Sequence, residues 1–461
     1  MFGRIKKIHF VGIGGIGMSG IAELLANKGF QITGSDMQAS RITEHLASLG
    51  IEITIGHNAD LILEVDAVVK SSAVRDTNPE VAAALARKIP VIRRAEMLAE
   101  IMRLGYGIGI AGTHGKTTTT SMTGMVLKAA GLNPTVIVGG VVKNFGTNNM
   151  QGSDEYIVVE ADEFDRSFLS LSPIIAGITN IEADHLDCYR NLEGVKDAFI
   201  EYANKVPFFG TVIACLDNPG VQSVIPHIKK EIVTYGFSKQ AVVQAQNLVM
   251  KEFHSAFDVK HRGELLGTVE MSSFGRHNIL NALMAVAIGL ELDVPFDAIQ
   301  AGLAEFRGVY RRCELKGQCN DIILYDDYAH HPTEIKATLN GMRENTDRRI
   351  IAVFQPHLYS RTRDFSQEFG RSFFQSDVLL VTPIYPARED PIPGITGKLI
   401  ADAAIQSGHK QVFYVDSNAA IVAKMREICL PGDLVITIGA GSIVRFGEEF
   451  LGELEKGGKN H

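Results

Sequence analysis

Short apolar runs alternate with helix-period segments along this chain. Lys7 to Gly12, Gln31 to Gly34, Ala67 to Lys70 and the stretch at Val91 read as buried strands, and Met18 to Lys28 reads as a helix. Parallel strands covered on both faces are continuously apolar, so this rhythm predicts a parallel sheet with crossover helices. A second block opens with the apolar run Ile108 to Ala111. It continues through Tyr156 to Val159 and Ile174 to Ile178 and runs to a helix beginning near Arg276. A third block starts around Arg312, with strands expected at Ile322 to Tyr325, Ile350 to Phe354, Val378 to Val381 and Leu434 to Ile438. The expected domains are therefore residues 1–104, 105–311 and 312–461, and the Lys- and Gly-containing tail from Glu455 to His461 is expected to fray.

Composition adds bounds to that picture. A length of 461 residues exceeds one ordinary core and fits three domains. With 46% hydrophobic and 21% charged residues, the chain has the balance of a soluble globular protein. A net charge of −8 gives no electrostatic case for a nucleic-acid partner. The five cysteines (Cys188, Cys215, Cys313, Cys319 and Cys429) form no Cys-x-x-Cys pair, so neither a zinc site nor a disulfide framework is suggested. Arg4, Lys6 and Lys7 precede an apolar stretch as in a signal peptide. Five glycines between Gly12 and Gly20 fit a strand and turn better. No stretch approaches the ~20 apolar residues that span a bilayer. A cytoplasmic protein without a membrane partner is expected.

The densest chemistry follows Ala111. Gly112-Thr113-His114-Gly115-Lys116-Thr117-Thr118 places two glycines, a lysine and hydroxyls between a strand and a helix. Backbone N–H groups in such a loop turn toward an anion, Lys116 can neutralise β- and γ-phosphates, and Thr117 can ligate Mg²⁺. The spacing is shorter than a Walker A motif, which would need glycine where Ile110 stands. ATP or a similar triphosphate is the expected ligand. Glu160 ends the strand from Tyr156, where a Walker-B acid would reach a metal, whereas Asp162, Glu163 and Asp165 read as a solvated acidic loop. His185, in Asn180-Ile-Glu-Ala-Asp-His-Leu-Asp187, is an unusual ligand for Mg²⁺ and equally suits a helix cap. Near the N-terminus, Gly12-x-Gly14-x-x-Gly17 follows a strand, and Asp36 ends the next one. Taken locally this favours NAD, although any nucleoside diphosphate presents the same groups to the loop.

The motifs Gly-Thr-His-Gly-Lys-Thr-Thr, Val-Glu-Ala-Asp-Glu, Asn-Ile-Glu-Ala-Asp-His-Leu-Asp and Arg276-His277-Asn278 occur in the order and spacing of the ATP-dependent Mur ligases. Tyr310-Arg-Arg-Cys-Glu314, Tyr325-Asp-Asp-Tyr-Ala-His-His-Pro332 and Gln355-Pro-His-Leu-Tyr-Ser-Arg-Thr362 extend the resemblance over essentially the whole chain. It implies an α/β fold of three domains: an N-terminal Rossmann-like domain, a central P-loop-type ATPase domain and a C-terminal Rossmann-like domain. It further implies an enzyme that adds L-alanine to UDP-N-acetylmuramate in peptidoglycan synthesis, with ATP and Mg²⁺. Lys116 and its loop would hold ATP phosphates, and His277 and Asn278 the adenine. Thr117 and Glu160 would hold one Mg²⁺, and Glu160 and His185 a second. Arg312 and Asp327 would reach the γ-phosphate and ribose, so closure of the third domain over the central one is expected to precede chemistry. Gly14, Gly15, Gly17, Met18 and Ser19 would cradle the UDP diphosphate, with Asp36, Ser71 and Ser72 near the nucleotide. His331, His357 and Arg361 would surround the amino acid and the reacting carboxylate. Leu358 stands where many relatives carry arginine.

Three other readings compete. An NAD-dependent dehydrogenase accounts for Gly12 to Asp36 but leaves Lys116 and Glu160 without a purpose. A P-loop switch or motor accounts for Lys116 but not for the N-terminal fingerprint. Within the family, a recycling ligase that attaches an intact tripeptide to the same UDP sugar shares the phosphate loop and the Tyr-Asp-Asp motif.

Overall fold

The first strand, Lys7–Val11, is apolar and buried beyond its first residue because it lies at the centre of a five-stranded sheet. In the computed structural model, which describes residues 3–457 apart from His185, Glu252 and Arg388, that sheet is parallel throughout. Its spatial order is Glu52–Ile55, Gln31–Asp36, Lys7–Val11, Ala67–Lys70, Val91–Arg93. The helix Ile16–Asn27 returns from the first strand to the second, and the helices Arg41–Ser48 and Pro79–Ala86 are capped by Ser40 and Asn78. Both glycine-rich turn and Asp36 thus fall at the carboxyl ends of neighbouring strands, where parallel sheets bind ligands.

A second sheet has ten strands. Its parallel centre runs Thr211–Cys215, Ile175–Ile178, Tyr106–Ala111, Tyr156–Glu160, so the strand feeding the phosphate loop is flanked by the strand ending in Glu160. Beyond Glu231–Gly236 the sheet continues through Val243–Lys251, His254–His261 and Glu264–Met271. The sequence reading contained none of these last three. Val243–Lys251 alternates buried and half-exposed positions, then runs out to solvent, so it offers no continuous apolar run. The helices Lys116–Ala129 and Arg276–Glu291 each bury ten residues, which makes them core elements rather than amphipathic surface helices.

The third sheet orders Glu314–Cys319, Ile322–Asp327, Leu434–Ile438, Ile350–Phe354, Val378–Val381, Val412–Tyr414. It is parallel except for the first strand, which pairs antiparallel with Ile322–Asp327. Two apolar clusters line its faces, one around Phe354 and Phe373 and the other around Ile351 and Phe450. The expected three-domain α/β architecture is therefore present. By compactness the chain divides into two units. One comprises Met1–Leu248, Ala256–Met271 and Asn278–Arg307; the other comprises Val249–Ser255, Ser272–His277 and Gly308–His461. Among the described residues no helix is long and apolar enough to cross a membrane.

Candidate functional site

The phosphate loop connects the buried strand Tyr106–Ala111 to the helix Lys116–Ala129. Gly115 caps that helix at φ +83, and a Cβ there would lie 2.5 Å from Asn281 Oδ1, so both conformation and space require glycine. The Asn180 motif braces the loop from the next strand. His114 N donates to Asn180 Oδ1 at 2.8 Å, Glu182 N donates to Thr113 Oγ1 at 2.9 Å, and Thr179 Oγ1 donates to the His114 carbonyl at 2.6 Å. His114 Nε2 stands 3.5 Å from Glu182 Oε2. From the other side Thr119 Oγ1 donates to Asn281 Oδ1 at 3.1 Å, and Asn281 Nδ2 donates to Asn278 Oδ1 at 3.2 Å. Asn278 thus touches the helix that carries Lys116 through Asn281. Thr118 is half-buried in the first turn.

Lys116 turns back onto its own loop. Its Nζ donates to the carbonyls of Gly112 at 2.8 Å and Thr113 at 3.1 Å, and lies 2.7 Å from Glu163 Oε2. Burial opposes the ammonium charge, but the Glu163, Asp162 and Glu160 carboxylates outweigh it and hold Lys116 protonated. Glu163 is 2% exposed, and burial pushes its carboxyl up to about 7 against the pull of Lys116. The solvated acidic loop expected from sequence is therefore corrected at Glu163, while Asp165 is exposed as expected. Only the position of the lysine, forty-seven residues away, gives this carboxylate its role.

Thr117 Oγ1 donates to Glu160 Oε2 at 2.9 Å, and Gly139 N donates to the same oxygen at 2.7 Å. A hydroxyl and a carboxylate on adjoining elements form a hard oxygen set of the kind Mg²⁺ takes. His185, expected to hold a second ion with Glu160, lies outside the described residues.

At the first sheet, Gly14 N donates to Asp36 Oδ2 at 2.8 Å, so the carboxylate holds the glycine loop to the second strand. Ser35 O accepts from both Gly12 N and Ile13 N, at 2.8 and 3.0 Å. Gly15 and Gly17 open the helix, where first-turn N–H groups lack intrahelical acceptors. Met18 is buried in the core, and the Ser19 hydroxyl donates to the Ile16 carbonyl at 2.9 Å. Ser71 lies beneath Gly12, and Ser72 is exposed. A network absent from the sequence reading sits below the loop. Buried Glu80 accepts from Ser35 Oγ at 2.7 Å and meets His9 Nε2 and His57 Nδ1, each at 3.0 Å. Burial opposes ionisation of Glu80, but these partners outweigh it and lower its pKa. Its Asn-Pro-Glu setting signals a helix start, not a buried acid.

In the second unit, Arg312 lies 3.5 Å from Glu334 Oε1 and 5.4 Å from the Tyr328 ring. Asp327 accepts from Cys313 N at 2.8 Å and Ala329 N at 2.7 Å, and burial raises its carboxyl to about 6 although Arg312 opposes this. His331 caps the helix Pro332–Arg343, with Glu334 in the reciprocal position. His357 stacks on Tyr385 at 5.9 Å and meets His330 at 5.8 Å. Arg361 is buried one helical turn further on. Leu358 between them adopts φ 70, ψ 139, a strained conformation for a branched residue. Burial lowers the His277 pKa to about 4, with Arg312 adding to the shift, so its ring is neutral near pH 7.

A strand, a glycine loop, a lysine and a helix, with a neighbouring strand-end acid on the threonine hydroxyl, are the local structure of P-loop-type phosphate-binding proteins. Here that structure is combined with a Rossmann-like sheet on either side of it in sequence. Family models narrow the class: the Mur ligase family catalytic domain matches residues 7–106, the Mur ligase middle domain 110–289, and the glutamate ligase domain of Mur ligases 311–441. The chain belongs to the Mur ligase family. It is 50% identical to the UDP-N-acetylmuramate–L-alanine ligase of Geotalea uraniireducens over 455 residues, 99% of each chain. It is also 50% identical to that of Salinibacter ruber, over 99% of this chain and 96% of the relative. Among solved structures it resembles the UDP-N-acetylmuramate-alanine ligase of Thermotoga maritima, with a TM-score of 0.81 and 29% identity over 98% of this chain and 99% of that one. A murein peptide ligase of Psychrobacter arcticus gives 0.71 and 25%, over 97% and 98% of the two chains.

Proposed function

We propose that this protein joins L-alanine to the lactyl carboxylate of UDP-N-acetylmuramate, converting ATP to ADP and phosphate, in peptidoglycan synthesis in the cytoplasm. The observation that carries this reading is 50% identity to UDP-N-acetylmuramate–L-alanine ligases over almost the entire chain. The tripeptide-attaching alternative has less support: the solved murein peptide ligases have lower TM-scores against this chain than the alanine ligase does. Domain boundaries near residues 104 and 311 belong to the same reading.

A carboxylate is a poor electrophile and must be activated before an amine can attack it. One lactyl carboxylate oxygen attacks the γ-phosphorus of ATP, the bond to the ADP oxygen breaks, and an acyl phosphate forms. Lys116 exchanges Glu163 for the β- and γ-phosphates, and the loop N–H groups hold the same oxygens. Thr117 and Glu160 would hold Mg²⁺, with His185 assigned to a second ion; when bound, the metal neutralises phosphate charge. Arg312 is assigned to the γ-phosphate, Asp327 to the ribose, and neutral His277 with Asn278 to the adenine. The neutral amine of L-alanine then attacks the acyl carbon, loses a proton, and the tetrahedral adduct expels phosphate. His331, His357 and Arg361 are assigned to the amino acid and the reacting carboxylate. Gly14, Gly15 and Gly17, positioned by Asp36, are assigned to the UDP diphosphate.

The test is ADP release with UDP-N-acetylmuramate and a panel of amino acids and the L-Ala-γ-D-Glu-diaminopimelate tripeptide. Release that depends on both the sugar nucleotide and L-alanine is expected. Release driven by the tripeptide and not by L-alanine would establish the sibling reaction, and release without either would remove the ligase reading.

A further inference from the structure

Arg94 lies between two assigned sites without belonging to either. It opens the helix Arg94–Met102, and its guanidinium approaches the helix that carries the first glycine loop. A Cβ on Gly17 would lie 3.0 Å from Arg94 Nη1 and 3.2 Å from Arg94 Cδ. The absence of a side chain at Gly17 therefore admits a guanidinium to the first turn of that helix. The guanidinium stands where the helix already offers N–H groups to an anion. Arg94 also lines a small cavity with Glu160, Asp162 and Ser167.

Its charge is only loosely matched. The neighbouring acid, Glu96, is committed to Arg93, accepting from Nε at 3.0 Å, from Nη2 at 2.7 Å and from the backbone N at 2.8 Å. Among the described residues the sole ion-pair partner of Arg94 is Asp162, at 3.6 Å, beyond hydrogen-bond distance. The Arg94 side chain is 24% exposed, so the guanidinium is partly withdrawn from water without a bidentate acceptor. Guanidinium forks match phosphate oxygens in geometry and bind them strongly.

We propose that Arg94 is a substrate-binding residue whose guanidinium engages the diphosphate of the UDP sugar, and that Asp162 is a stand-in anion which the diphosphate displaces. The inference rests on the assignment of the UDP sugar to the Gly14–Gly17 loop and adds to it the side chain that reads the charge. By holding the diphosphate between Gly17 and the cavity that Glu160 lines, Arg94 directs the sugar end of the substrate toward the phosphate-transfer site. Every group involved lies within one compact unit.

Calorimetric titration of the full-length protein with UDP and with uridine, together with steady-state kinetics, tests the proposal. In the wild type UDP should bind far more tightly than uridine. Arg94→Ala should weaken UDP, and raise the KM for UDP-N-acetylmuramate, by roughly tenfold to a hundredfold. Uridine binding and the KM for ATP should stay within about twofold, and Arg94→Lys should recover part of the loss. A residue that merely tied the fold together would weaken uridine and UDP alike. Asp162→Asn should tighten UDP in the wild-type background and leave it unchanged in Arg94→Ala. UDP affinity unaltered in Arg94→Ala would overturn the role of Arg94 while leaving the UDP site standing. Failure of the wild type to bind UDP would overturn both. Asp162→Asn weakening UDP as much as Arg94→Ala would make the pair a structural tie and overturn the proposal.

Discussion

Replacing Lys116 with methionine separates what this lysine does for the fold from what it does for chemistry. Lys116 Nζ makes hydrogen bonds to Gly112 O at 2.8 Å and Thr113 O at 3.1 Å and an ion pair with Glu163 Oε2 at 2.7 Å. Glu163 is almost fully buried, so Lys116→Met removes the ammonium that faces its carboxylate in the interior. Breaking a buried pair from one side costs about 3–5 kcal/mol. Protonation limits that cost. The Glu163 pKa already stands at about 7 with its partner present, and loss of the lysine raises it further. A carboxyl with a folded pKa above its unfolded value loses stability as pH rises, so the deficit should be small near pH 5 and largest above pH 8. Adding Glu163→Gln removes the charge and should restore most of the stability at pH 8. It should not restore turnover, which falls by about a thousandfold or more when the charge facing the phosphates is lost. Urea unfolding at pH 5 and pH 8 and an ADP-release assay on both variants measure the two effects. A pH-independent deficit would refute the ion-pair argument. Near-normal turnover in Lys116→Met, or turnover regained in the double variant, would refute the assignment of Lys116 to the phosphates.

Gly115→Ala places a Cβ at φ +83 against Asn281 and should weaken ATP binding at least tenfold while UDP binding holds, as titration with each nucleotide would show; unchanged ATP affinity would contradict the loop geometry. Asp36→Ala removes the acceptor of Gly14 N and should weaken UDP-sugar binding by about 0.5–3 kcal/mol without altering ATP affinity, and an equal loss for both nucleotides would count against separate sites. The His277 pKa falls from 6.5 to about 4 in the fold, so its contribution is complete above pH 6.5 and is lost as pH falls toward 4. The loss amounts to at most about 3 kcal/mol, and His277→Gln should flatten that part of the stability–pH curve in urea titrations; parallel curves would refute it.

The parallel sheets were legible because buried parallel strands are uninterrupted apolar runs: Ala67–Lys70, Ile350–Phe354, Val378–Val381 and Leu434–Ile438 match their expected limits. The strands from Val243 to Met271 were not, since none is a continuous apolar run: Val243–Lys251 runs out to solvent, His254–His261 alternates buried with half-buried positions, and Glu264–Met271 is mostly exposed or half-buried. In the candidate site, residues next to a glycine turn announced themselves through local spacing, as Lys116 and Thr117 did, and Asp36 through its place at the end of the strand that follows the first glycine turn. Residues defined by partners far along the chain did not. Glu163 looked like one more acid in an acidic loop until Lys116 was found beside it. Asn281 and Arg94 carry no local motif that would single them out in the sequence. Glu80 joins His9, Ser35 and His57 across three connections, a relation that only the sheet order reveals.

The central claim is that ATP activates the lactyl carboxylate by phosphorylating it. UDP-N-acetylmuramate labelled with ¹⁸O at both carboxylate oxygens, turned over to completion with ATP and L-alanine, tests this directly by mass spectrometry of the products. One labelled oxygen should appear in the inorganic phosphate and the other in the amide carbonyl, because the oxygen that attacks phosphorus leaves with it. Unlabelled phosphate, or label recovered in AMP, would contradict the account and leave Lys116 and Glu160 serving a different chemistry.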